Sequence, residues 1–237
     1  MSIATKMEIL FMGKIIFYRI KILLHLQPIF LKRKMLLKIY PENPNPRDIR
    51  RIVEIVRNGG VIIFPTDTIY GLGCDIFNAK AVEKVCKIKE LNPEKNRLSF
   101  ICNDLSQLSE FAKVDNNTFK LMKKNLPGAF TFILNGSNNL PRLFKNKKTV
   151  GIRIPDNNII RAIVEELGNP IMTTSVRTTD EDVIEYFSDP ELIHEKFRTM
   201  VDIVIDGGYG NAEPSTVVDC TDDEPTIVRQ GMGELNF

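Results

Sequence analysis

The chain has 237 residues, of which 43% are apolar and 26% are charged, so it has the proportions of an ordinary globular protein with one large core or two modest ones. Its net charge of +2 is unevenly spread, because residues 1–38 hold eight Lys or Arg and one acid, a charge of +7, which leaves −5 on the rest. The mildly acidic body argues against a generally basic nucleic-acid-binding protein, while a local basic groove stays open.

Residues 1–34 are predicted to be a basic and apolar N-terminal extension. Lys14, Arg19 and Lys21 interrupt its apolar runs well short of the ~20 residues that a membrane-spanning helix needs, so we predict no membrane span. No unbroken apolar centre with a small-residue cleavage site is present, which argues against a signal peptide. The extension is either a basic amphipathic helix at a membrane surface or translated sequence upstream of a start at Met35, and we favour the second interpretation.

Helical periodicity begins after this extension. The first predicted helix starts after Asn45, has an apolar i, i+3, i+4, i+7 face and ends at Gly59. Asn78 and Asp104 are candidate N-caps of the next two helices. The predicted helices span residues 46–58, 79–88, 105–111, 117–124, 159–167 and 189–198.

Strands rich in β-branched and aromatic residues alternate with these helices. They are predicted at 61–64, 98–102, 130–134, 150–154, 171–174, 201–206, 215–220 and 226–229. Several strands near the C-terminus follow one another without a helix, so we expect a mixed sheet. No internal repeat or low-complexity linker interrupts the pattern, and we predict one α/β domain over residues 35–237.

Cysteine and histidine are too sparse for metal or thiol chemistry. Cys74, Cys86, Cys102 and Cys220 include no CxxC pair, and the two histidines have no zinc-site spacing. We therefore predict no metal-ligating side chains and no Cys-His catalysis. The cysteines are best interpreted as buried, reduced thiols of a cytoplasmic protein.

Polar side chains gather at the ends of several predicted strands. Thr68 follows the strand at 61–64 and precedes a predicted glycine-rich turn at Gly71. Thr173 ends another strand, and Ser215 and Arg229 flank the last two. Hydroxyls at strand ends are often turn or cap groups, so each element alone is a weak signal.

Arg153 lies between apolar neighbours in the predicted strand 150–154, where a cation is costly to bury without a partner. Its anion is either a structural carboxylate or a ligand. A structural salt bridge is the commoner arrangement. A ligand anion is the alternative that would make the strand ends a binding site.

A cationic segment follows the predicted helix 79–88. Lys89, Lys95 and Arg97 stand at the helix C-terminus and in the loop beyond it, where positive charge also complements the helix dipole. They form either an ordinary solvated cap or a clamp for phosphates. Neither a P-loop nor a GxGxxG motif is present, so bound phosphates would be held by side chains and strand-end amides.

Taken together, the motifs resemble a known family. "GGVIIFPTDTIYGLG" at 59–73, "LPGAFTFIL", "VGIRIP", the Thr-Thr-Ser segment, "STVVD" and "IVRQG" occur in the order of the YrdC family of L-threonylcarbamoyladenylate synthases, and their details look most like the YciO branch. The resemblance runs from about residue 38 to the C-terminus. It implies an α/β fold in which a twisted mixed sheet with flanking helices surrounds a deep groove.

The resemblance also implies a reaction. Members of the family join L-threonine, bicarbonate and ATP, with Mg²⁺, to give threonylcarbamoyl-AMP and pyrophosphate, the first step toward threonylcarbamoyladenosine in tRNA. The threonine amine forms a carbamate that attacks the α-phosphorus, so no protein nucleophile is needed, and catalysis depends on alignment and on cations at the phosphates. The implied macromolecular partners are tRNA or double-stranded RNA and the tRNA threonylcarbamoyl transferase proteins.

Carried over residue by residue, the resemblance assigns two groups of side chains. The positions that hold L-threonine match Thr68, Arg153, Thr173 and Ser215, with Arg153 on the carboxylate. The positions around the nucleotide match Lys89, Asn96, Thr149, Ser175 and Arg229, of which Lys89 and Arg229 would be the catalytic cations. This assignment depends on a bound amino acid neutralising Arg153, and an internal carboxylate that fills this role would overturn it.

Three positions depart from the family pattern. Leu91 replaces an arginine that contacts phosphate, Ile101 replaces a histidine near the threonine site, and Arg177 replaces an amide donor. Losing one charged contact to a developing charge costs on the order of 2–4 kcal/mol of transition-state stabilisation. A synthase is therefore one interpretation, and a diverged paralogue with another nucleotide or carbamoyl substrate or an RNA-binding module are the alternatives.

Overall fold

One mixed β-sheet runs through the described part of the protein. In the computed structural model this part comprises residues 35–92, 98–177 and 183–237, so the predicted extension at 1–34 and Asn96 lie outside it. The strands are β1 (Met35–Lys38), β2 (Ile62–Phe64), β3 (Gly71–Asp75), β4 (Ser99–Ile101), β5 (Ala112–Lys113), β6 (Phe130–Gly136), β7 (Thr149–Arg153), β8 (Ile171–Ser175), β9 (Ile203–Asp206), β10 (Thr216–Asp219) and β11 (Thr226–Arg229).

The order of the described strands across the sheet is β1-β9-β2-β3-β8-β4-β7-β6-β10-β11, and β5 pairs with β6. Strand β9 is parallel to β1 and β2, β4 is parallel to β7, and β6 is parallel to β10. Strand β8 is antiparallel to both of its neighbours, β3 and β4. The predicted α/β class with a mixed sheet is confirmed.

Helices flank the sheet, and the first three begin at the caps that the sequence indicates. They are α1 (Pro46–Arg57), α2 (Ala79–Ile88), α3 (Leu105–Phe111), α4 (Asn116–Asn125), α5 (Asn158–Leu167), α6 (Glu185–Ser188) and α7 (Pro190–Phe197). The side chain of Asn45 accepts a hydrogen bond from the backbone N–H of Arg47 at 2.9 Å, and that of Asn78 accepts one from Ala81 at 3.1 Å. These bonds satisfy N–H groups that have no partner within the helix.

Side chains alternate across the sheet and build an apolar core on each face. On one face, α1 and α5 cover a cluster that includes Ile62, Phe64 and Ile203. On the other face, α2, α3, α4 and α7 pack on a larger cluster that includes Ile63 and Phe100.

The face beneath α1 and α5 changes character toward the middle of the sheet. Ile101 and Ile171 belong to the apolar cluster there. Two residues away along the same strands, and therefore on the same face, lie Ser99 and Thr173. Ser99 pairs with Thr173 on one side and with Gly151 on the other. The apolar surface of this face thus borders directly on a polar surface formed by Ser99, Thr173 and their neighbours, which we call the polar floor. The polar floor carries the candidate site.

The prediction of a glycine-rich turn at Gly71 is wrong, because Gly71 and Gly73 belong to β3. Their missing side chains make room for the ring of Phe64, since a Cβ would lie 2.6 Å from a ring atom at Gly71 and 3.1 Å at Gly73. Strands β1 and β5 and helix α6 also escaped prediction. Strands β1 and β5 contain no β-branched or aromatic residue, and α6 is a single helical turn, too short for a periodic pattern.

The four cysteines are free and buried, as the sequence predicts. Burial raises the pKa of each thiol, that of Cys220 to about 11. Within the described residues, every helix is too short or too polar to cross a membrane.

Candidate functional site

A cavity of about 610 Å³ opens on the polar part of the sheet face. The predicted site residues that line it are Thr68, Thr149, Arg153, Thr173, Ser175, Ser215 and Arg229. Its described lining contains the cations Lys147, Lys148, Arg153 and Arg229 and no Asp or Glu. A cavity of hydroxyls and cations without an acidic side chain favours an anionic ligand.

The segment between β2 and β3 presents Thr68 to the cavity. Thr66 Oγ accepts the backbone N–H of Thr68 at 3.0 Å and donates to the carbonyl of Ile69 at 2.9 Å. Tyr70 is fully buried, and its hydroxyl donates to the carbonyl of Gly208 at 2.7 Å. Burial raises the pKa of Tyr70, so this hydroxyl stays protonated and keeps the segment in place.

Arg153 ends β7 beside this segment. Its Nη2 donates to Thr68 Oγ1 at 2.9 Å and to Asp67 Oδ1 at 3.0 Å. The side chains of Arg153 and Asp67 are only 12% and 11% exposed. Burial lowers the pKa of Arg153, the nearby charge of Asp67 opposes this effect, and that of Arg229 adds to it. The second carboxylate oxygen of Asp67 accepts the backbone N–H of Asp156 at 3.0 Å.

Asp67 is the structural carboxylate that the sequence left open as a partner of Arg153. The interpretation in which a ligand alone neutralises this cation is therefore wrong, and the threonine assignment stays a prediction that needs positive charge beyond what Asp67 balances. Only Nη2 bonds to described groups, and Nε is buried with no partner among them. Because Arg229 adds a second positive charge close by, the one carboxylate leaves this end of the cavity positive.

Ser215 and Arg229 lie across the cavity from the β2–β3 segment. Arg229 Nη2 donates to the carbonyl of Ser215 at 2.7 Å, and burial lowers the pKa of Arg229. The hydroxyls of Ser215 and Thr131 are 2.8 Å apart. Thr173, predicted at the same end, is buried and donates to the carbonyl of Leu72 at 3.3 Å.

Thr149 and Ser175 mark the other end of the polar floor. Ser99 pairs with Gly151 and with Thr173, so Thr149 and Ser175 lie at the same level on either side of β4, two residues beyond those partners. Ser175 Oγ accepts the backbone N–H of Arg177 at 3.1 Å. Two members of the predicted nucleotide group, Thr149 and Ser175, thus share a face with Thr173, whereas a third, Arg229, lies at the Arg153 end; which ligand each of them binds stays a prediction.

Lys89 and Asn96 are not brought into this group. Lys89 is the C-cap of α2, and its Nζ donates to the carbonyls of Val176 at 3.3 Å and Arg177 at 2.6 Å. It is not among the described residues that line the cavity. Asn96 lies outside the described residues, so its assignment stays a prediction, as does the role of Lys89.

The three departures from the family pattern have structural roles. Leu91 packs against the larger core, and Ile101 is fully buried in the smaller one. The guanidinium of Arg177 lies over the ring of Phe187, 5.1 Å from its centroid, and Arg177 is absent from the described cavity lining. These side chains contribute packing at positions where the family pattern has polar contacts.

Five polar residues of the lining escaped the sequence interpretation: Ser99, Thr131, Asn146, Lys147 and Lys148. Ser99 and Thr131 are hydroxyl residues inside strands correctly predicted as apolar, and a lone polar residue at a buried strand position was the available signal. Lys147 and Lys148 belong to an ordinary-looking surface run, and only the fold brings them beside Thr149.

The sequence model of the Sua5/YciO/YrdC family, described as "Telomere recombination", matches residues 54–231. The chain belongs to this family. Escherichia coli (strain K12) YciO is 46% identical over 199 residues, which cover 83% of this chain and 95% of that protein. A threonylcarbamoyl-AMP synthase of Bacillus subtilis (strain 168) is 33% identical over 190 residues, which cover 79% of this chain and 54% of that protein.

Solved structures of the family support the same grouping. The crystal structure of E. coli YciO matches with a TM-score of 0.78 at 44% identity, covering 85% of this chain and 97% of that chain. P. abyssi Sua5 complexed with L-threonine matches with a TM-score of 0.75 at 27% identity, covering 84% and 58% respectively. The predicted YrdC-like twisted mixed sheet with flanking helices is confirmed.

Proposed function

We propose that the protein is an L-threonylcarbamoyladenylate synthase, which forms threonylcarbamoyl-AMP and pyrophosphate from L-threonine, bicarbonate and ATP. The proposal rests on one observation. Hydroxyls and cations from distant strands converge in one cavity, and no Asp or Glu is among the described residues that line it. Within the family, a synthase of this name and a threonine complex of Sua5 support the same substrate.

The carboxylate of threonine would bind at the Arg153 end of the cavity. Asp67 takes one bond of Nη2, but Arg153 and Arg229 together leave a surplus positive charge there. Thr68 and Ser215 supply hydroxyls beside these cations. In this arrangement Asp67 holds the guanidinium in place while the ligand carboxylate completes the neutralisation.

The absence of acid from the described lining suits a carbamate better than a free ammonium group. An ammonium would meet cations in this cavity, whereas the carbamate formed from the threonine amine carries negative charge. The carbamate oxygen then serves as the nucleophile. The protein residues would align it with the α-phosphorus and stabilise the charge that develops.

Mg²⁺ would enter with ATP and neutralise part of the phosphate charge. The described residues contain no group of three His, Cys, Asp or Glu that could hold a metal ion by themselves. A cavity lined by hydroxyls fits Mg²⁺, because that ion usually keeps most of its waters and is held through substrate phosphates and few protein ligands. Thr149 and Ser175 are two of the lining residues that would supply hydroxyls at the end assigned to the nucleotide.

The reaction would take place in the cytoplasm, since four free thiols suit a reducing compartment. The product would pass to tRNA threonylcarbamoyl transferase proteins.

The test of the proposed function is pyrophosphate release by the purified full chain with ATP, Mg²⁺, bicarbonate and L-threonine. We expect release that stops when threonine or bicarbonate is omitted. Release that is indifferent to threonine would refute the synthase.

A diverged enzyme for another nucleotide is the second candidate. Two side chains favour it. Lys89 donates to backbone carbonyls, and Arg177 lies over the ring of Phe187. The same assay with GTP, CTP or UTP in place of ATP separates the two candidates. Faster threonine-dependent release with one of these nucleotides would replace the ATP assignment.

A further inference from the structure

Strand β7 and the residues before it form a row that has a cation at each end. Thr149, Gly151 and Arg153 line the cavity because alternate residues of a strand face the same side, and Lys147 and Lys148, which precede the strand, line it as well. Thr149 and Arg153 are roughly 13 Å apart at the rise of a β-strand. The cavity therefore has one positive end at Lys147 and Lys148 and another at Arg153. Gly151, which has no side chain, lies between them.

The segment that carries Lys147 and Lys148 is anchored to the core. Phe144 is 1% exposed and meets Phe100 edge-on, with ring centroids 5.0 Å apart. The backbone N–H of Lys147 donates to the carbonyl of Phe144 at 2.9 Å, and that of Gly136 donates to the carbonyl of Lys148 at 2.8 Å. These bonds fix the backbone of both lysines at the cavity edge, so only their side chains must become ordered when an anion binds there.

The other candidate cations lie elsewhere. Arg229 acts on the Arg153 end, because its charge lowers the pKa of Arg153 and its Nη2 donates to the carbonyl of Ser215. Lys89 directs Nζ to the carbonyls of Val176 and Arg177. Among the described lining residues, the cations of the opposite end are Lys147 and Lys148.

We propose that Lys147 and Lys148 bind the pyrophosphate that leaves ATP, an inference that rests on the synthase reaction proposed above. In that reaction a bond forms between the carbamate oxygen and the α-phosphorus. The bond from the α-phosphorus to the bridging oxygen breaks, and its electron pair leaves with pyrophosphate. Attacking and leaving oxygens lie roughly in line. With threonine at the Arg153 end, the leaving group points to the end of Lys147 and Lys148.

The test is the dissociation constant of magnesium pyrophosphate for the full chain, measured by calorimetry. The variants are Lys147→Ala, Lys148→Ala and Lys148→Arg. Lys145→Ala is the matched control, because Lys145 is exposed on the same segment and is not among the described lining residues. We expect the dissociation constant to rise about tenfold in each cavity alanine variant, and to change less than about twofold in Lys148→Arg and in the control.

The outcomes separate this inference from the proposed function. Pyrophosphate binding that depends on Lys147 and Lys148 upholds the subsite even if threonine-dependent release is not observed. No measurable pyrophosphate binding by the unaltered chain overturns the subsite. So does equal weakening in Lys145→Ala, which would indicate only general charge attraction. If release depends on threonine while pyrophosphate affinity ignores Lys147 and Lys148, the synthase stands and the subsite is rejected.

Discussion

Arg153 shows how a buried cation can be held in a binding site. Its Nη2 is fixed by Asp67 and Thr68, and Asp67 is in turn fixed by the backbone N–H of Asp156. A guanidinium held in this way needs little reorganisation when a carboxylate arrives. The sequence predicted that Arg153 needs an anion, but it could not tell that Asp67, 86 positions away, would lie 3.0 Å from it.

Replacement of Arg153 by alanine is expected to weaken threonine far more than ATP. The change removes the charge that would face the amino-acid carboxylate, and a hydrogen bond to a charged group contributes about 1.5–3 kcal/mol. We expect the KM for threonine to rise on the order of 10- to 100-fold and the KM for ATP to change little.

Arg161→Ala is the matched control for this measurement, because Arg161 lies on α5 and is not among the described residues that line the cavity. Equal loss of affinity for both substrates in Arg153→Ala would instead assign Arg153 a purely structural role.

At the scale of elements, amphipathic helices could be predicted and the glycine strand could not. Helix α1 is indicated by its N-cap Asn45 and by a repeated apolar face, both of which are local signals. Strand β3 consists of Gly-Leu-Gly-Cys-Asp, which has poor strand propensity, and its place is set by Phe64 and β8. Tertiary packing overrides local preference at that point.

Gly73→Ala is expected to destabilise the fold. Its Cβ would lie 2.4 Å from the backbone carbonyl oxygen of Met172, which cannot move without breaking the pairing of β3 with β8. Overpacking of this kind costs about 1–3 kcal/mol of unfolding free energy, which urea denaturation would measure.

Gly151→Ala provides the comparison, because its nearest atom is the Ser99 hydroxyl at 2.8 Å, a group that can rotate away. We expect a smaller loss of stability there. A loss in Gly151→Ala as large as that in Gly73→Ala would contradict the packing explanation for β3.

At the scale of the whole molecule, each sheet face has an apolar core, and the polar floor of the cavity shares a face with the smaller core. The smaller core beneath α1 and α5 ends where Ile101 and Ile171 give way to Ser99 and Thr173. Burial of four thiols also makes the stability of this fold decrease at alkaline pH.

The free energy of unfolding is expected to fall as the pH rises from about 9 to about 11. In the folded protein burial raises the pKa of Cys220 from 9.0 to about 11, so in this window the unfolded chain loses a proton that the folded chain keeps. Stability then decreases with pH. Urea denaturation across the pH range should show a shallower decline for Cys220→Ala, and an unchanged decline in that variant would rule out this thiol as a contributor.

The central claim is that one cavity joins threonine, bicarbonate and a nucleotide. Its most direct test supplies the full chain with ATP, Mg²⁺, L-threonine and carbon-13 bicarbonate and identifies the products by mass spectrometry. We expect threonylcarbamoyl-AMP that carries the heavy carbon, formed only when all substrates are present. The absence of any labelled adduct of threonine and AMP, from protein that is folded and binds ATP, would contradict the claim.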